Sequence, residues 1–93
     1  MPNNILAIFK IYPEDDKVDL EDLKNRLREA LPKGNVHIHR IIEEEIAFGI
    51  KALKVFVVMP PFFEGGTQPL EEAFSKVKGV SQVDVELVQT LPG

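Results

Sequence analysis

Ninety-three residues suit one domain at the usual roughly 100 to 200 residues each, with one modest core and no deep crevice between two lobes. Fifteen acids against eleven bases give a net charge of -4, which argues against a binder that tracks nucleic-acid phosphates, since such domains carry a basic stripe. The absence of cysteine excludes disulfides, thiolate zinc sites and cysteine nucleophiles, and it fits a reducing compartment.

The elements follow in chain order. Ile5 to Tyr12, ILAIFKIY, is β-branched and aromatic and stops at Pro13, so it predicts a strand; both faces are largely apolar, which places it centrally in a sheet. Glu14 to Lys17 is a charged connection. A helix follows, with Asp19 as N-cap, Glu21 and Asp22 in its first turn, and an apolar stripe of Leu20, Leu23, Leu27, Ala30 and Leu31. Pro32-Lys33-Gly34 terminates it. Val36 to Ile42 alternates as a strand, with Val36, Ile38 and Ile42 on one side and His37, His39 and Ile41 on the other. Glu43-Glu44-Glu45 breaks that pattern and predicts a solvated hairpin tip. Phe48 to Met59 reads as a long strand antiparallel to the previous one. Gly65-Gly66 opens a turn, Thr67 is positioned to cap a second helix, and Leu70, Ala73, Phe74 and Val77 form its stripe. Lys76, Lys78 and Gly79 supply the C-terminal charge and a left-handed stop. Gln82 to Leu91 is the last strand, with Val83, Val85 and Leu87 alternating against Asp84, Glu86 and Val88.

The order β-α-β-β-α-β predicts an α+β ferredoxin-like sandwich over residues 1–93, a four-stranded antiparallel sheet with two helices on one face. The opposite sheet face is left for a partner. The longest strongly apolar stretch, Val55 to Pro60, is far short of the ~20 residues that cross a bilayer, and the Met-Pro-Asn-Asn start lacks a basic leader region. The expectation is a cytoplasmic domain without membrane or direct nucleic-acid contact.

Catalytic motifs are missing. Ser75 and Ser81 lie in no nucleophile-elbow setting, and neither a GxxxxGK[ST] nor a GxGxxG spacing is present, so no phosphate cradle and no cofactor are expected. His37 and His39, at i and i+2 on a strand, share a face as two ligands of a metal site do, but the sequence fixes no third ligand. Without that third ligand they read as two half-exposed histidines on the sheet surface. Asp15-Asp16 lacks the glycine and terminal glutamate of a calcium loop. Phe62-Phe63, directly after Pro60-Pro61, marks either a partner surface or a fold-back over the core edge.

Ile46-Ala47-Phe48-Gly49-Ile50-Lys51-Ala52-Leu53 resembles the I-A-F/Y-G-I/L-K-A/K-L segment of the translation elongation factor 1-beta family. Lys10-Ile11-Tyr12-Pro13-Glu14, Val18-Asp19-Leu20-Glu21, the Glu43 to Glu45 run, Glu64-Gly65-Gly66-Thr67 and Val77-Lys78-Gly79-Val80-Ser81 agree with it in order. The resemblance implies the same ferredoxin-like fold and a guanine-nucleotide exchange factor for elongation factor 1-alpha, a non-enzyme that promotes GDP release. It implies a GTPase-contacting surface at Phe48, Gly49, Ile50 and Lys51. It also implies a basic side chain at the end of the last strand that reaches the nucleotide's magnesium site. Here Thr90 stands at or next to that position and residues 82 to 93 hold no lysine or arginine, which leaves Lys51 as the other candidate cation. The alternative reading is a stand-alone ferredoxin-like module that binds a small molecule at a dimer interface.

Overall fold

The computed structural model describes residues 4–32, 35–47, 49–61 and 66–91. Its elements are β1 (Ile5–Pro13), α1 (Leu20–Glu29), β2 (His37–Ala47), β3 (Ile50–Met59), α2 (Gln68–Ser75) and β4 (Val80–Thr90). The strands form one antiparallel sheet in the order β2-β3-β1-β4. The expected α+β ferredoxin-like architecture is therefore observed, and the apolar first strand sits between two neighbours as its two-sided hydrophobicity requires.

One face of the sheet holds the core. Ala7, Phe9 and Ile11 of β1 and Leu53, Val55, Val57 and Met59 of β3 are buried together with Leu23 and Leu27 of α1 and Leu70 and Phe74 of α2. Both helices thus cover the odd-numbered face of the two central strands. Phe9 and Phe74 meet edge to face, with ring centroids 5.4 Å apart, a geometry that adds about 0.5–1.5 kcal/mol to the area the rings bury.

The helix signals act as predicted at α1 and only partly at α2. Asp19 accepts hydrogen bonds from the backbone N–H groups of Glu21 and Asp22 at 3.0 and 3.3 Å. The helix ends at Glu29 with Ala30 as C-cap, three residues before the proline expected to stop it. Thr67 occupies the N-cap of α2, yet its side chain makes no capping bond. Its carbonyl instead accepts from Glu71 N–H at 2.9 Å. Gly79 takes the left-handed conformation (φ +99°) in the turn into β4 rather than at the helix end, and its carbonyl accepts from Glu14 N–H at 2.9 Å.

Four breaks in strand register, one of them between Tyr12 and Pro13 at the start of the β4 pairing, correct the simple alternation. Between Ile38 and Arg40 the pairing with β3 shifts by one residue, so Ile38 and Ile41, not Ile38 and Ile42, pack against the core. A second shift lies between Glu45 and Ala47. In β4 the pairing shifts where Phe9 faces Val85 and Ile8 faces Leu87, so Glu86 is an added residue. Val83 and Val85 pack on the core, whereas Leu87 moves to the outer face beside Ile8. An added residue flips every side chain beyond it to the other face.

Candidate functional site

The β2–β3 hairpin carries the sequence motif, and its local structure follows from charge as much as from strand propensity. Glu43, Glu44 and Glu45 are not a hairpin tip. They lie within β2 opposite Leu53, Ala52 and Lys51, and the turn comes later, between Ala47 and Ile50. Gly49 adopts φ +81° there, a conformation glycine reaches without the Cβ penalty. The acidic run persists in a strand because cations meet two of its three carboxylates. On the outer face Lys10 of β1 donates to Glu44 at 2.9 Å. On the helix face Lys24 of α1 donates to Glu43 at 2.9 Å and to Glu21 at 3.3 Å, and Lys51 Nζ lies 3.5 Å from the other Glu43 oxygen.

These pairs shift the groups' proton affinities. The hydrogen bond from Lys24, reinforced by its charge, holds the Glu43 carboxyl below its ordinary value, with Lys51 adding to the effect. Lys10 does the same to Glu44. The ammonium groups of Lys10 and Lys24 are raised in return, chiefly by their hydrogen bonds to Glu44 and Glu43. Lys51 and Gly49 line an open cleft with Pro13, Asp15, Asp16, Val18 and Leu20. This end of the sheet therefore presents a turn, a cation and two carboxylates around one depression.

Thr90 lies elsewhere. It pairs with Ile5, which also faces Met59, whereas Lys51 lies beyond the Ile11–Leu53 pair. The ten-residue β3 separates the two ends by about 30 Å at ~3.4 Å per residue. Gly49, Ile50 and Lys51 are brought together; Thr90 is not brought to them. Strand-end Thr90 is exposed, and Leu91 N–H is tied back to Asn4 carbonyl at 2.8 Å. Phe48, Phe62 and Phe63 fall outside the described residues.

The outer sheet face is a lattice of cations and rings. The Arg40 guanidinium sits 5.0 Å and the Lys54 ammonium 5.9 Å from the Phe56 ring centroid, and Lys10 is 5.6 Å from that of Tyr12. Lys54 also approaches Glu86 at 3.9 Å. His37 and His39 are both exposed, and Arg40 rather than His39 takes the place opposite Phe56. Among the described residues, no group of three His, Asp or Glu side chains is placed to hold a metal, and no helix is long and apolar enough to cross a membrane. The sequence did not reveal Lys24, Glu43 and Lys10 as site neighbours. Their meeting depends on the register shift in β2, which no residue type announces.

The described residues thus form a ferredoxin-like sheet with a charged hairpin at one end. The family comparison specifies it: the model of the EF-1 guanine nucleotide exchange domain matches residues 6–91, from β1 to just past β4. The chain belongs to this family, the guanine nucleotide exchange factors of translation elongation. Among its relatives, the protein named Elongation factor 1-beta in Staphylothermus marinus is 48% identical over 87 residues, covering 94% of this chain and 96% of the relative. Those of the same name in Desulfurococcus amylolyticus and Methanothermobacter thermautotrophicus are 46% and 44% identical over 94% and 95% of this chain, and 96% and 97% of their own lengths.

Proposed function

We propose that this protein acts as a single exchange domain that promotes GDP release from elongation factor 1-alpha in the cytoplasm, without a cofactor and without contacting nucleic acid or membrane. The observation that carries the reading is the family match across all six elements. The contact surface is assigned to Phe48, Gly49, Ile50 and Lys51 at the hairpin end and to Thr90 at the far end, with Phe62 and Phe63 as a further partner surface.

Exchange requires no bond-making from this chain. A GTPase holds GDP through its P-loop amides, a lysine and magnesium. A factor that binds the nucleotide-free GTPase more tightly than the nucleotide-bound form must loosen nucleotide by the same free energy. Because Lys51 and Thr90 are about 30 Å apart along the strands, one small metal site cannot receive both, and the factor engages its partner as a bar held at two ends.

The test is release of a fluorescent GDP analogue from the cognate GTPase. Release accelerates as the protein is added and saturates with its concentration. An unchanged rate at saturating protein, with a folded GTPase, refutes the assignment.

A further inference from the structure

Glu43 is a shared carboxylate. Lys24 holds one of its oxygens at 2.9 Å, and Lys51 stands 3.5 Å from the other. The two cations differ in setting: the Lys24 side chain is 14% exposed and clamped between helix and strand, whereas that of Lys51 is 47% exposed at the edge of the cleft. A carboxylate already neutralised by one ammonium attracts a second one less strongly than a bare carboxylate does. When Lys51 swings away, Glu43 keeps Lys24, so no half-buried charge is orphaned.

We infer that Lys24 is a positioning residue that keeps Lys51 available: by occupying Glu43 it leaves Lys51 loosely held, free to be taken over by an acidic side chain of the GTPase. The inference rests on the proposed reading that Lys51 touches the GTPase. Glu45, Asp15 and Asp16, the other carboxylates around Lys51, are unchanged among the variants that test it, so their pull on Lys51 is common to all.

The experiment titrates nucleotide release against factor concentration at low salt, giving a half-saturation concentration and a maximal rate for each variant, with thermal melts alongside. Lys51→Gln raises the half-saturation concentration. Lys24→Gln raises it by about two- to five-fold, the range of an exposed ion pair, because Lys51 is then the only close cation of Glu43 among the described residues. Lys24→Met, which keeps the aliphatic stem, behaves the same. Glu43→Gln alone does not raise it, and Glu43→Gln added to Lys24→Gln restores the parental value, with maximal rates unaltered in these Lys24 and Glu43 variants. If Lys24 were only a strut between α1 and β2, Glu43→Gln would be as harmful as Lys24→Gln and the double variant would show no rescue; that pattern overturns the inference. A weakened Lys51→Gln beside a normal Lys24→Gln overturns it alone. Normal release by Lys51→Gln, with the parent protein active, refutes the assignment of Lys51 to the contact surface and the inference with it.

Discussion

The two edges of the sheet solve the same problem differently. β2 and β4 are both eleven-residue strands with a register shift, and each leaves one row of backbone groups without a strand partner. β2 is armed with charge: Glu43 and Glu44 are tied to Lys24, Lys51 and Lys10 across three other elements. β4 relies on apolar contact and a bulge. Val83 and Val85 seat it on the core, while Leu87 and Val88 remain 42% and 53% exposed and residues 82 to 93 carry no base. The charged edge is locked into its own molecule, and the less charged one is more open. Charges and bulges on an edge strand also oppose pairing with a second chain.

The largest expected effect comes from the core on which both edges rest. Phe74→Ala removes the ring that meets Phe9 beneath the centre of the sheet, and it should cost about 3–5 kcal/mol, visible as a lower denaturant midpoint without loss of either edge's specific contacts. A smaller midpoint shift would mean that the edges, not the core, set stability. Next, Phe48→Ala addresses the sequence motif that follows the charged edge strand. An aromatic anchor at a protein interface is worth about 2 kcal/mol or more, or roughly thirty-fold in affinity. Exchange should weaken by that order while the melting temperature stays nearly constant; a melt lowered as far as that of Phe74→Ala would make Phe48 a packing residue. Thr90→Lys sharpens the comparison at the end of the less charged edge. It restores the cation that the family resemblance places there and should raise the exchange rate several-fold; an unchanged rate with binding intact would show that exchange proceeds without a cation at that end.

The smallest effect is a pH dependence confined to the charged edge. Folding lowers the proton affinity of Glu43 and Glu44 from an ordinary value of 4.5. Their stabilisation is therefore present above that value and is lost as pH falls through the lowered one. Lys10 and Lys24 are raised above 10.5, so their share is present below that pH and fades as pH climbs through the raised values. Thermal melts from neutral to acid pH should fall less steeply for Glu43→Gln with Glu44→Gln than for the parent, and 1 M salt should narrow the gap by screening. Parallel melts at low salt would show that these pairs contribute nothing.

Much of the fold was legible because its signals are local. Asp19 announces the start of α1, the leucines at helical spacing announce its buried side, and ILAIFKIY announces a central strand. The motif at Gly49 to Lys51 was equally plain. What escaped the sequence is what depends on pairing. An added residue in a strand has no composition of its own, so His39, Glu86 and the resulting placement of Leu87 could not be read. Three adjacent glutamates resemble a solvated turn until the cations that pair with Glu43 and Glu44 are brought in from chain positions as distant as Lys10. Nor does the sequence show distance: the resemblance assigns both Lys51 and Thr90 to the GTPase contact, yet they lie at opposite ends of the strands.

The antiparallel pairing of β1 with β4 has a consequence for synthesis. Of the strands in this sheet, the earliest in sequence is central, and one of its two neighbours is the latest. Until residues 80–90 have left the ribosome, Ile5 to Pro13 can pair only with β3, and its other side stays open. That segment is an apolar, β-prone run of the kind that joins other chains, with Lys10 as its one charged interruption. The four-stranded sheet therefore cannot close until β4 has been made. In the interval, Lys10, later the partner of Glu44, serves as the gatekeeper that discourages nascent chains from pairing with one another.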